Sequence, residues 1–291
     1  MSCNKNKRTG CKELKLLNLR LPNLHFGPGK ITSYEITKRQ KIVLMSLFLT
    51  IILITAQTVG ESLRYETIAF LTLSTILLSI FALWGELSGV KYFLLLLLPT
   101  YFVAGASLFY FLLPVRWLTR VPFAFFFGIS VYLLMLTSNI YNVAAIRTIA
   151  LLRAAHAVGL LFTLISGFLL VNVLLSFHLP FYLNVIGITL ICGPLYLVGV
   201  WATELEDYVS QRAFLYAAVF TIVTAEGGLV FSFWPIVPIN GALAIATVMY
   251  ALLGLSQLHL EDKLKPRVLW EHVAVALLVF VIITISTRWG G

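Results

Sequence analysis

Apolar stretches of about 17 to 22 residues recur nine times between Ile42 and Thr287, each closed by a few polar positions. A helix rises about 1.5 Å per residue and a bilayer's hydrocarbon core is about 30 Å thick, so about 20 residues cross it. The pattern predicts spans over 42–60, 67–85, 92–113, 121–142, 157–177, 181–202, 213–233, 239–258 and 269–287. The fold class expected is all-α, a polytopic transmembrane bundle of about nine helices. Loops of 3 to 14 residues make consecutive helices antiparallel neighbours and leave no room for a sizeable soluble domain.

Composition agrees: 60% hydrophobic and 11% charged residues, with mean hydropathy +0.95, are outside the range of soluble domains. The net charge of +9 is concentrated at one end, where residues 1–41 carry ten Lys or Arg against Glu13 and Glu35. Such a tail anchors on the cytoplasmic side and touches anionic lipid headgroups. It has no folded module or interleaved aromatics, so nucleic acid is not an expected partner. With the N-terminus inside, inner segments hold 17 of the 21 Lys and Arg, and the outer ones hold Arg64, Arg116, Arg120 and Arg288. The orientation expected is a multi-pass protein of the cytoplasmic (inner) membrane with its C-terminus outside. Because 41 residues precede the first apolar run, a cleaved signal peptide is not expected. Cys3, Cys11 and Cys192 are too few for a disulfide framework, and no metal or cofactor set is expected.

Residues 91–114 lie over 212–235 at a constant offset of 121, pairing Phe93 with Phe214, Leu94 with Leu215, Thr100 with Thr221, Ala104 with Ala225, Leu108 with Leu229 and Pro114 with Pro235. Trp84 resembles Trp201 upstream, and Tyr132 and Ser138 resemble Tyr250 and Ser256 downstream. The implied organisation is a tail (1–41), a leading helix with its loop (42–66), and two four-helix units (67–177 and 178–291). An even number of helices per unit makes the copies parallel, with a site favoured at their interface.

Ionisable residues at membrane depth are functional candidates because burying a charge in hydrocarbon is costly. Glu226 is the clear one, about 20 Å beyond Arg212 along its helix. Gly227 and Gly228 follow it, then Trp234-Pro235-Ile236-Val237-Pro238, which leaves two readings: a broken helix with an outward pocket, or a structural Glu226 that bonds a neighbouring helix or pairs with Arg116 or Arg120 while the glycines allow close packing. Arg116, Arg120 and His178 fall on the same outer side, where guanidiniums hold phosphate or carboxylate. On the inner side, the segment after Asn139 reads as an interfacial helix. Its Arg147, Arg153 and His156 face an acidic rim of Glu204, Glu206 and Asp207, as headgroup contacts or as a cytoplasmic gate.

The run Asn139-Ile140-Tyr141-Asn142-Val143-Ala144-Ala145-Ile146-Arg147, continuing to Arg153-Ala154-Ala155-His156, resembles stretches in uncharacterised polytopic membrane proteins of reduced-genome bacteria, a domain-of-unknown-function group. The likeness covers one segment and implies no activity. The reading carried forward is a protein that binds or transports a small or lipid-linked anionic ligand through a pocket near Glu226 and the repeat interface. Its rivals are a transferase or hydrolase acting on lipid phosphate at the outer face, with Glu226 as base, and a non-catalytic assembly partner with a basic docking tail. The outer loops are short and one acid stands alone, which weighs against an enzyme.

Overall fold

The computed structural model describes residues 37–56, 63–83, 90–114, 116–144, 151–206 and 208–287; the basic tail, Arg147, Asp207 and Arg288 lie outside them. Among the described residues there are nine α-helices and no strand. They are α1 (Lys38–Thr55), α2 (Arg64–Ala82), α3 (Val90–Leu112), α4 (Trp117–Ala144), α5 (Leu152–Ser176), α6 (Phe181–Glu204), α7 (Gln211–Phe233), α8 (Pro238–Leu260) and α9 (Pro266–Ser286). All but α1 are long and apolar enough to cross a membrane unaided. The first turn of α1 carries Lys38, Arg39 and Lys41.

Local chemistry sets the helix ends. Ahead of its first apolar residue, α1 starts in a reciprocal cap: Gln40 N–H donates to Thr37 Oγ1, and Thr37 N–H donates to Gln40 Oε1 at 2.9 Å. Ser210 caps α7 by accepting from Ala213 N–H at 3.0 Å, while α8 and α9 begin on Pro238 and Pro266, whose missing N–H costs nothing in a first turn. Gly227 and Gly228 do not interrupt α7, which sets aside the broken-helix reading; the helix runs on to Phe233 and stops at Trp234-Pro235. Gly228 instead sits where a Cβ would collide with Ile188, so its bareness lets α6 and α7 pack closely.

Helix neighbours interlock as two sets. In one, α1 packs on α2 and α4, and α3 bridges α2 to α4; in the other, α5 packs on α6 and α8, and α7 bridges α6 to α8. The sets meet where α3 and α4 contact α5 and α3 contacts α6. α3 packs on α5 as extensively as α5 packs on α8, so the helices form one continuous bundle and these contacts do not delimit the four-helix units drawn from sequence. α9 packs on α8, and Ile283 is the only buried residue within it.

Two interior prolines are accommodated by neighbouring helices. Pro99 in α3 and Pro194 in α6 have no N–H to give the carbonyls four residues earlier. Water cannot satisfy those carbonyls in the bilayer core. Ser138 of α4 donates to Leu95 O at 3.3 Å, and Tyr101 of α3 donates to Leu190 O at 3.1 Å. The second bond ties the two helix sets together at their junction.

Candidate functional site

That junction carries a cavity of about 560 Å³, walled by α2, α3, α6 and α7. From α3 it takes Phe93, Leu96, Leu97, Thr100 and Tyr101, and from α7 it takes Phe214, Ala217, Ala218, Thr221 and Ile222. Each residue of the second set lies 121 positions after one of the first, the offset at which the two segments align. Ile76 of α2 and Gly193 of α6 also line it, and they stand 117 apart, as do Trp84 and Trp201.

The floor of the cavity is buried at Leu96, Leu97, Ala217 and Thr221, while Phe93, Phe214 and Ile222 are exposed at its mouth. It therefore opens sideways, towards lipid. Its hydroxyls are already committed: Thr100 donates to Leu96 O at 2.7 Å, Thr221 to Ala217 O at 2.6 Å and Thr189 to Val185 O at 2.8 Å. With Tyr101 bound to Leu190 O, these walls present hydrocarbon rather than free hydrogen-bond donors.

Through Thr189, Thr221 and Ile222 this cavity continues into a second, about 450 Å³, between α6 and α7. Glu226 lies there, with Tyr182, Ile186 and Leu229. Its carboxylate is exposed on the lipid side of α7, between Ile222 and Val230. No described residue forms an ion pair or side-chain hydrogen bond with it.

The candidates grouped with it from sequence stand elsewhere at this end of the bundle. Arg116 and Arg120 line a cavity with Thr50 and Ile54 of α1 and Tyr110 of α3. His178, in the left-handed region at φ 49°, lines a small polar cavity with Asn184, Ser232 and Trp234. The structure thus distributes Glu226, the arginine pair and His178 over three cavities.

At the opposite end of the bundle, His156 Nδ1 stands 3.8 Å from Oε1 of Glu261, the residue that follows α8, and its ring lies against Tyr141. Glu204 accepts a hydrogen bond from Ser210, the cap of α7, and Arg153 is exposed in the first turn of α5. The acid facing His156 is therefore Glu261. In the α6–α7 loop, a hydrogen bond to Glu206, reinforced by that carboxylate's charge, raises the pKa of the Tyr208 phenol.

Sequence reading passed over Tyr101, Tyr110 and Lys91. Tyr101 had a legible signal, since Pro194 guarantees an orphan carbonyl that needs a donor. Tyr110 had none, being one aromatic among many on α3. Lys91, counted only as an inner charge, is 2% exposed, and its Nζ donates to Asn142 O near the end of α4 at 2.9 Å. A cation there meets the negative end of the helix dipole.

Nine apolar helices among the described residues, proline carbonyls rescued between helices and a laterally open groove define an integral, multi-pass membrane protein. Residues 85–286, more than two thirds of the chain, match the family described as Protein of unknown function (DUF5656), and the chain belongs to that family. The match covers α3 to α9. No curated protein and no solved structure matches it.

Proposed function

We propose that this protein binds the hydrocarbon chain of a lipid-linked ligand in the groove between α2–α3 and α6–α7, at the interface of two repeated units. The observation that carries the proposal is the register: the five α3 residues and five α7 residues facing the groove are the same positions of the aligned segments. Parallel duplicated units place their shared site on the axis between them. A lateral mouth and self-satisfied hydroxyls favour a chain that partitions from the bilayer over a water-soluble solute.

Glu226 marks the outer end of this path, where an isolated carboxylate repels an anionic headgroup and favours a hydrogen-bond donor such as a hydroxyl or ammonium. This revises the anionic ligand expected from sequence. A role for Glu226 as base towards a phosphate held by Arg116 and Arg120 finds no support, because these side chains line separate cavities. The charge asymmetry of the loops supports a cytoplasmic N-terminus in an inner membrane, with the basic tail against anionic headgroups.

The test is photocrosslinking with a phospholipid whose acyl chain carries a diazirine. Labelling should concentrate on the peptides containing Leu96, Leu97, Ala217 and Ala218, and Ala218→Trp, which fills the floor, should displace it. Equal labelling of every lipid-facing helix, α9 included and unchanged by Ala218→Trp, would refute the groove as a site.

A further inference from the structure

The geometry points to a second, independent site: a phosphate-binding pocket formed by Arg116, Arg120 and Tyr110 at the start of α4. The cavity is about 410 Å³ and is lined by α1, α3 and α4. Both arginines belong to it, and no carboxylate lines it. Among the described residues neither guanidinium forms an ion pair. Arg116 is exposed, but Arg120 is half-buried, and a half-buried cation normally has a counter-charge, so its surroundings are incomplete as they stand.

Two atoms make the same point more sharply. Tyr110 is 1% exposed, yet its hydroxyl has no hydrogen-bond partner. Arg120 Nε is also buried without one. Each is an N–H or O–H donor, and the Arg120 guanidinium lies 5.6 Å from the centre of the Tyr110 ring. The Tyr110 ring is itself fixed by stacking on Phe123 at 5.5 Å. A phenol O–H and two guanidiniums offer donors without acceptors of comparable strength, which suits a ligand made of acceptor oxygens.

The local backbone agrees with that polarity. α4 is 28 residues long, and its first turn contains no acid and carries Arg120. This end of a helix favours negative charge, so cations placed here gain stability once an anion sits between them and the helix. The rest of the cavity is apolar, with Ile54, Ala124 and Phe125 beside the basic end. Val121 and Phe125 are exposed towards lipid, giving an alkyl chain a path out of the pocket. The shared chemistry is a phosphate group, presented by a membrane phospholipid or free in solution. It does not depend on the groove at the helix-set junction, which has other walls.

The full-length protein, reconstituted in phosphatidylcholine nanodiscs with and without phosphatidylglycerol, tests this by native mass spectrometry of retained lipid. Retention of phosphatidylglycerol over phosphatidylcholine should fall about tenfold or more in Arg120→Ala, the loss of one charged hydrogen bond. Tyr110→Phe, which keeps the ring and its packing, should lower the same ratio several-fold without changing thermal stability, a pattern that mere packing does not produce. Displacement of phosphatidylglycerol by inorganic phosphate, lost in the same variants, assigns the pocket to phosphate from either source. No displacement assigns it to the lipid headgroup. Ala218→Trp, which empties the groove of lipid, should leave the drop in the ratio caused by Arg120→Ala and Tyr110→Phe unchanged, so the two sites fail separately. A lipid ratio the same in wild type, Arg120→Ala and Tyr110→Phe overturns the proposal.

Discussion

Tyr101→Phe removes one oxygen and leaves the packing of α3 against α6 in place. The Leu190 carbonyl then loses the donor that stands in for the N–H missing at Pro194. An unsatisfied buried carbonyl costs about 1–3 kcal/mol in soluble proteins, but hydrogen bonds between membrane helices average about 0.6 and reach about 1.7 kcal/mol. Because Tyr101 is at a groove wall rather than in the deepest core, the expected loss is about 1 kcal/mol. Pro194→Ala restores a backbone N–H to the same carbonyl, so Tyr101→Phe should cost almost nothing in that background. The measurement is a double-mutant cycle of unfolding free energies in mixed micelles, with an expected coupling of about 1 kcal/mol. The cycle cancels any change in helix bend caused by the proline substitution alone. Equal penalties in both backgrounds, within about 0.3 kcal/mol, would refute the claim that the tyrosine serves the proline's orphan carbonyl.

Two further outcomes follow from the packing and the charge pattern. Gly228→Val should separate α6 from α7 at Ile188 and lower stability by about 1–3 kcal/mol, whereas Gly227→Val, whose Cβ would meet only Ile245 at 3.7 Å, should cost less; thermal melts of the two variants rank them. In a protein with Cys3 and Cys11 replaced, a membrane-impermeant maleimide should label Thr119→Cys in intact cells and Lys263→Cys only after permeabilisation; the reverse result inverts the proposed orientation.

Spans were legible because hydrocarbon thickness fixes their length and the short polar loops separate them. Their ends were less so: α1 begins at Lys38 because Thr37 and Gln40 cap each other, a signal that apolar counting ignores. The alignment of α3 with α7 was also readable. What it could not say was that Thr100 and Thr221 face one another's groove, since an apolar helix in a membrane has little amphipathic contrast to reveal its inward face. Glu226 drew attention as a charge on α7, and of the two meanings open for the glycines after it, close packing and a broken helix, Gly228 has the first, against α6. Arg116 and Arg120 were visible as a pair. Their companion Tyr110 comes from another helix, and only three-dimensional packing brings it beneath Arg120.

The groove's two faces match in register but not in bulk: Leu96 and Leu97 oppose Ala217 and Ala218. Leucine on both walls would crowd four branched side chains into that space, and alanine on both would leave it lined by four methyl groups. Neither helix can stand in for the other. The hollow rests on this inequality of bulk, so leucine at both 217 and 218 would close it even if every helix still inserted.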